Sequence, residues 1–455
     1  MANMATTLNT TPLLQESDSD NENDMQVTQD ATSSDNRPLF KPLEPKDKYY
    51  AAFLIFYLLG IVTLLPWNFY VTANDYWMYK FRNASDNSSI TAAKRTPLQT
   101  EFTSYLNLAS SLPNLIFVVL NTAISHRISV KKRIIWSLLF LQVFMIITLL
   151  FVNIDTDEWQ QLFFGLTLVC VILLAVCSAV FSGSIFGLVG KFSPIYITAV
   201  TGGQALGGIF AAIAQIAALS IGASSTHTAL VYFIIGNLTI TLSIVSYVIL
   251  EKMVFFKYYT SNPDIQVEMN DLMSSQEISY KIILRKMWCY GLVVFLTFLF
   301  TLAVYPGITV LVESEGKGRG SKWNDVYFVP TVAYLLFSVG DYLGRIIAGR
   351  IMKPRNITIL VIISIARFIF IPLILLCNVQ PRRYTAVVFD QDYQYILILL
   401  LFALSNGYLT NISTIFVTKV VEDHEKEIAS SAITIFLVLG LTVGSALSLV
   451  IVRLI

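Results

Sequence analysis

The feature that most constrains this chain is a series of apolar segments, each close to the length that crosses a lipid bilayer. A helix needs roughly 20 mainly apolar residues to span the hydrocarbon core. Windows of that length predict about eleven transmembrane helices, so the fold class is an all-α, polytopic membrane protein. The predicted spans, in chain order, are 50–73, 101–122, 134–153, 161–189, 194–220, 228–250, 288–311, 325–349, 357–377, 394–418 and 429–453.

Composition supports the same class, because only 13% of the 455 residues are charged and 55% are hydrophobic. Soluble domains carry about 25% charged residues, and a soluble fold this poor in charge could not cover its own surface. The formal net charge of +1 gives no indication of a nucleic-acid partner. The sequence has neither a phosphate-binding P-loop nor Cys and His at metal-ligand spacing. We therefore expect no use of ATP, no metal, no cofactor and no enzymatic activity.

The spacing of the spans divides the chain into four regions. Residues 1–48 are polar and acidic, which predicts a disordered tail. Six spans fall in residues 49–250 and five in residues 287–455, and a polar linker over 251–286 separates them. We therefore expect two helical bundles with pseudo-symmetry, as in transporters built from repeats.

Charged connections between the spans predict the orientation in the membrane. Basic residues concentrate on the side of the N-terminus, most clearly in the connection 127–133. By the positive-inside rule this side is cytosolic, and the C-terminus is then extracellular. The glycosylation sequons at Asn83 and Asn87 fall in the connection 74–100, which this topology places outside.

Charged side chains inside the spans mark candidate functional residues, because burying an arginine in a bilayer costs a few kcal/mol or more. Asp341 and Arg345 lie four residues apart in span 8 and so share one helical face, which Ser338 and Tyr334 extend. This stripe predicts a site for a polar substrate, and the alternative is a structural ion pair between helices. Arg367 in span 9 has no carboxylate on its own helix, so it is either a structural clamp or part of a gate or site.

The first span contains a second candidate. Pro66 interrupts the helical hydrogen bonds and can bend the helix, which would direct Trp67 and Asn68 towards the interior. An indole can stack on a planar ring while an amide bonds to its edge. The alternative is a kinked packing helix in which Trp67 only fills space.

Six separate stretches resemble the equilibrative nucleoside transporters. They are LLPWNF (64–69), GSIFGLVG (183–190), DYLGR (341–345), CNVQPRRY (377–384), SNGYL (405–409) and LGLTVGSA (439–446). The similarity extends from residue 48 to 455, and residues 67–85 are most similar to the lysosomal branch of the family. The resemblance implies an eleven-helix bundle of six plus five helices, related to the major facilitator architecture. It also implies ATP-independent, bidirectional passage of purine and pyrimidine nucleosides such as adenosine and uridine.

The resemblance further implies which residues line the substrate cavity. These are Trp67 and Asn68 with Leu64 beside them, Asp341 and Arg345, and, by position alone, Ser111, Asn114, Ser182, Tyr305 and Leu441. Ser182 is a departure, because well-studied members carry a glutamine there that bonds the nucleobase. The shorter serine side chain leaves a gap or a water at this place.

Three functions remain open on the sequence alone. The first is facilitative nucleoside transport by alternating access at the plasma membrane. The second is a proton-coupled nucleoside or nucleobase carrier of a late endosome or lysosome, in which protonation of Asp341 gates binding. The third is a membrane receptor or scaffold that transports nothing. In the first two we expect a monomer whose only partners are its substrate and the bilayer.

Overall fold

The computed structural model describes residues 45–82, 97–125, 127–221, 224–260, 279–380 and 386–454. Within these ranges ten helices are long and apolar enough to cross a membrane, which confirms the predicted class of a polytopic α-helical membrane protein. Most of the predicted tail and half of the predicted linker, residues 261–278, lie outside the described residues. The sequons at Asn83 and Asn87 lie outside them as well.

The first half of the chain forms a bundle of long helices, which we call the first bundle. Its helices are α1 (Ala51–Thr72), α2 (Asn74–Lys80), α3 (Pro97–Ala123), α4 (Val130–Val152), α5 (Gln160–Val189), α6 (Pro194–Ile221), α7 (Ser225–Lys252) and the short α8 (Val254–Thr260). Helix α1 packs against α6 and α7, helix α4 against α5 and α7, and α3 against α5. The apolar part of α3 is Ala109–Ala123, shorter than the span predicted there.

The remaining helices form the second bundle. They are α9 (Tyr280–Val304), α10 (Phe337–Ile351), α11 (Ile357–Ala366), α12 (Phe370–Leu375), α13 (Asp392–Val420) and α14 (Lys426–Leu454). Helix α10 packs along α13, and α9 packs along α14 and α13. These contacts bring the two longest apolar helices of this half, α13 and α14, against α9.

Two spans that the sequence predicts as regular helices are irregular in the structure. Two π-helical segments, Trp323–Tyr327 and Val329–Leu336, precede α10 and form the first half of span 8. Span 9 breaks between α11 and α12 into a 3-10 turn, Arg367–Ile369. Pro372 explains the break, because its ring crowds the carbonyl of residue 368 and it has no N–H for the helical ladder. Such irregular turns inside helices often mark functional positions.

The two bundles meet along two contacts. At the first, α6 packs against α10 and the π-helical segment before it, and at the second, α14 packs against α3 and α5. Small residues permit the second contact, since a Cβ on Gly187 would lie only 3.0 Å from the carbonyl oxygen of Glu427. Close approach of this kind is the usual role of small residues between membrane helices.

Apolar side chains fill the helix contacts in two main clusters. The larger one lies within the first bundle and reaches α9, α13 and α14, with Phe69, Trp77 and Ile433 among its buried members. The smaller one lies within the second bundle around Val304, Phe328 and Phe402. Because lipid is as apolar as these side chains, their contribution is packing rather than removal from water.

Candidate functional site

An ion pair within α10 forms the centre of the site. Arg345 Nε donates to Asp341 Oδ2 over 2.9 Å, in agreement with the four-residue spacing. Both residues are buried, with 6% of Asp341 and 4% of Arg345 exposed. A charge pair at this depth is stable only when further hydrogen bonds satisfy its remaining donors and acceptors.

The first bundle supplies the partners of the guanidinium. Arg345 Nη1 donates to the carbonyl oxygen of Thr201 over 2.8 Å and to Gln204 Oε1 over 3.2 Å, both on α6. Gln204 Nε2 in turn donates to Thr63 Oγ1 on α1 over 3.0 Å. Helix α6 of the first bundle therefore binds the arginine of the second directly, and α1 contributes through Gln204.

Helix α13 supplies the partner of the carboxylate. Asn406 Nδ2 donates to Asp341 Oδ1 over 2.6 Å, so each carboxylate oxygen accepts a hydrogen bond. Arg345 Nε and Asn406 Nδ2 can only donate hydrogen bonds, so Asp341 acts as an acceptor through both of its oxygens. A second amide, Asn411 Nδ2, donates to the carbonyl oxygen of Arg345 over 2.6 Å and fixes α10 against α13.

Aromatic rings lie beside this polar centre. Tyr305 stacks on Phe337 with ring centroids 3.8 Å apart and planes 13° apart, and Tyr334 contacts Tyr305 edge to face at 6.4 Å. Ser338 lies on the same helix as the aspartate, about one turn before it. Tyr334 and Ser338 of the helical stripe lie on the segment that carries the ion pair. Tyr305, which the family resemblance implies, contacts this segment through the rings of Tyr334 and Phe337.

Helix α6 approaches two further predicted residues through a pair of glycines. A Cβ on Gly207 would lie 3.6 Å from Asn68 Nδ2, and one on Gly208 would lie 3.0 Å from Ser338 Oγ. Asn68 on α1 and Ser338 on α10 therefore both pack against the backbone of α6. A larger residue at Gly208 would press on Ser338, whereas a Cβ at Gly207 would meet its neighbours at ordinary contact distance.

The other predicted residues lie on α1 and on the helices of the second bundle contact. Pro66 is buried inside α1, Trp67 is partly buried against the apolar core, and 36% of Leu64 is exposed. The remaining four are partly buried on helices of the second bundle contact: Ser111 and Asn114 on α3, Ser182 on α5 and Leu441 on α14.

Arg367 is 1% exposed and lies at the break in span 9. Its Nη1 donates to the carbonyl oxygen of Phe402 over 3.0 Å and to the Ser405 hydroxyl, and its guanidinium lies 4.7 Å from the centre of the Phe402 ring. Its Nη2 donates to Thr301 Oγ1 over 2.8 Å. Each of these partners is neutral.

The residues that the sequence analysis missed are the amides and hydroxyls that hold the ion pair. They are Thr63, Thr201, Gln204, Thr301, Asn406 and Asn411. The sequence does carry a signal for three of them, because Gln204, Asn406 and Asn411 are amides within long apolar spans, where such side chains seek partners on other helices. It carries no signal for which partner each one finds.

Comparisons with known proteins agree with this architecture. Residues 166–453 match the family model described as Nucleoside transporter. Equilibrative nucleoside transporter 1 of Homo sapiens is 33% identical over 448 residues, which cover 89% of this chain and 97% of that protein. Equilibrative nucleoside transporter 3 of Rattus norvegicus is 32% identical, and the match covers 88% of this chain and 89% of that protein.

Solved structures of the major facilitator superfamily are similar in fold. The proton:xylose symporter XylE matches with a TM-score of 0.62 at 13% identity, covering 87% of this chain and 87% of that one. The human organic anion transporter MFSD10 matches with a TM-score of 0.52 at 13% identity, covering 89% of this chain and 94% of that one. Identities this low carry information about the fold alone.

Proposed function

This chain belongs to the nucleoside transporter family, and from that membership we propose that it carries purine and pyrimidine nucleosides across a membrane by equilibrative transport. The named relatives and structural neighbours are transporters and not enzymes. The observation that carries the proposal is the buried Asp341–Arg345 pair, whose partners come from both bundles. A nucleoside is uncharged and ring-shaped, so a site for it needs polar groups and aromatic surface at membrane depth.

The roles of the central residues follow from their donors and acceptors. Asp341 accepts hydrogen bonds from the base or the ribose, and Arg345 orients the carboxylate and donates to the substrate. Tyr305 and Tyr334 provide aromatic surface next to this pair. Trp67 and Asn68 on α1 complete the site with a stacking face and an amide.

The residues of the second bundle contact bind the far side of the substrate. Ser111 and Asn114 on α3 provide polar contacts, and Leu441 on α14 provides an apolar one. Ser182 on α5 contacts the base directly or through a water, because a serine is shorter than the glutamine of well-studied relatives. Arg367 and Pro66 act on the shape of the site rather than on the substrate.

Transport proceeds by alternating access, in which the two bundles rock about the bound nucleoside. Supporting this, Arg133 Nη2 on α4 lies 2.8 Å and Lys191 Nζ lies 2.7 Å from Glu427 on α14, so ion pairs bridge the bundles at the face where α1 begins. Their breakage would open that face. The basic connections of this face put it in the cytosol, and the C-terminus is then extracellular.

The chain works as a monomer in the plasma membrane. No cofactor or ATP enters the mechanism, since the gradient of the substrate supplies the driving force.

Flux of radiolabelled uridine and adenosine into proteoliposomes tests the proposal. We expect saturable, bidirectional flux that a protonophore leaves unchanged, and we expect Asp341→Ala and Arg345→Ala to abolish it. The matched control is Arg350→Ala, because Arg350 lies on the same helix and is exposed. Flux of the unsubstituted chain that is no faster than in empty liposomes would refute the function, whereas normal flux in both alanine variants would refute the site.

A further inference from the structure

We propose that Arg367 is a positioning residue for Asp341, acting through Thr301 and Asn406. The inference rests on the proposed function, since it assigns Asp341 to the substrate. The relay starts at the break in span 9, passes through α9 and α13, and ends on α10. It therefore joins four helical segments of the second bundle to a single carboxylate.

The relay consists of three hydrogen bonds between buried side chains. Arg367 Nη2 donates to Thr301 Oγ1 over 2.8 Å, Thr301 Oγ1 donates to Asn406 Oδ1 over 2.7 Å, and Asn406 Nδ2 donates to Asp341 Oδ1 over 2.6 Å. All four residues are at most 6% exposed. The relay therefore runs without exposed links from a cation to an anion.

Donor and acceptor chemistry gives this relay one direction. Arginine can only donate and a carboxylate can only accept, whereas a threonine hydroxyl and a primary amide do both. Thr301 accepts from Arg367, so its single proton is shared between Asn406 Oδ1 and the carbonyl oxygen of Thr297, which also lies 2.7 Å away. With Oδ1 of Asn406 committed to Thr301, its NH₂ group must face Asp341.

The amide of Asn406 is the link on which the carboxylate depends. If it turned over, its oxygen would face Asp341 Oδ1 and repel it, and the carboxylate would lose one of its two donors. Chains of hydrogen bonds also polarise each other, so the charge of Arg367 strengthens every bond towards Asp341. The relay thus fixes the rotamer and the free lone pairs that the carboxylate presents to a nucleoside.

Stability alone explains Arg367 poorly. Among the described residues its Nε is a buried donor without a partner, and its direct partners are two hydroxyls and a backbone carbonyl. A buried cation without a direct carboxylate is costly compared with an apolar side chain of similar volume. Compared with such an apolar side chain, the guanidinium adds the donor that starts the relay to Asp341.

The test substitutes Thr301 in the middle of the relay, in order to distinguish a role of Arg367 in positioning Asp341 from a role in folding. Thr301→Val keeps the shape of the side chain and removes the hydroxyl, while Thr301→Ser keeps the hydroxyl. The matched control is Thr297→Val, one turn earlier on α9, because this hydroxyl is also buried and bonds a backbone carbonyl. Arg367→Lys is a second variant that keeps the buried charge and removes the forked geometry. Each full-length variant is reconstituted, and uridine flux and equilibrium binding of radiolabelled uridine are measured per folded, monodisperse protein.

We expect Thr301→Val and Arg367→Lys to raise KM and Kd for uridine about five- to tenfold, with maximal flux per folded protein within about twofold of the unsubstituted chain. Thr301→Ser and Thr297→Val are expected to keep KM within about twofold. A purely structural role would lower the yield of folded protein and leave KM unchanged.

Two results would overturn the inference while leaving the proposed function intact. One is an unchanged KM in Thr301→Val and Arg367→Lys, and the other is an equal rise of KM in Thr297→Val. Absence of uridine flux and binding in the unsubstituted chain would instead overturn both proposals together.

Discussion

Glu427 bridges the two bundles at the face where α1 begins. Removing its charge tests whether this bridge keeps that face closed. Arg133 Nη2 lies 2.8 Å from one carboxylate oxygen and Lys191 Nζ lies 2.7 Å from the other. Both bases belong to the first bundle and Glu427 to the second. The substitution Glu427→Gln keeps the shape of the side chain and removes the charge–charge attraction to Arg133 and Lys191.

The size of the effect follows from how far each pair is buried. The Arg133 side chain is 4% exposed, so losing its charge-assisted bond costs about 1.5–2 kcal/mol. The Lys191 side chain is 29% exposed, and solvent screening limits its pair to less than about 1 kcal/mol. A sum of about 1.5–3 kcal/mol changes the ratio of closed to open states roughly ten- to 150-fold.

Thiol labelling at the bundle contact measures this ratio. Ser431 on α14 is fully buried and hydrogen-bonds Thr122 on α3, so a cysteine there is accessible only when this face opens. The assay uses Ser431→Cys in a background where the four native cysteines are alanine, and it follows maleimide labelling of the purified protein in nanodiscs. We expect Glu427→Gln to accelerate labelling by roughly the factor above, up to the rate limit of an exposed thiol.

A neighbouring acid provides the control for this experiment. Glu422 is 67% exposed in its side chain, and its partner Lys286 Nζ lies 3.2 Å away in the same bundle. Glu422→Gln therefore removes an equal charge without touching the bundle contact. Labelling that is no faster in Glu427→Gln than in Glu422→Gln would refute the assignment of Glu427 as the bridge that keeps this face closed.

Two further predictions concern the residues that hold the ion pair. Gln204→Leu removes the side-chain acceptor of Arg345 Nη1 and the donor to Thr63, so we expect KM for uridine to rise about five- to tenfold. Gln142→Leu is the control, because the Gln142 amide bonds Asn237 within the first bundle, and equal KM values in the two variants would contradict the role of Gln204. Gly407→Ala places a Cβ against the backbone carbonyl of Asp341, which cannot move aside, so we expect a loss of about 3 kcal/mol or more in stability, measured as yield of monodisperse protein and thermal unfolding. Gly165→Ala has open space around it and should behave like the unsubstituted chain, and a normal yield for Gly407→Ala would show that α10 and α13 are not packed this closely.

Several properties of the fold follow from local patterns and were predictable. The length of an apolar run and the charge of its flanks are local properties, so they predict membrane-spanning helices before any tertiary contact is known. The Asp341–Arg345 pair was predictable for the same reason, since four residues are about one turn of one helix. The two irregular spans are different. Pro372 is a local signal for the break in span 9, whereas Pro330 near the start of a π-helical segment does not distinguish π-helical from α-helical turns.

The sequence by itself determined that this chain is a polytopic α-helical membrane protein and that a charged pair lies on one face of span 8. Only the tertiary structure decided what holds that pair. Gln204 is 141 positions from Arg345 and Asn406 is 65 positions from Asp341, so no periodicity relates them. Their meeting depends on how each helix is rotated and how closely it approaches its neighbours, and contacts at residues such as Gly208 and Gly407 set both. The same reason explains why the sequence left the alternatives for Arg367 open, since its hydrogen-bonded link to Asp341 through Thr301 and Asn406 joins positions far apart in the chain.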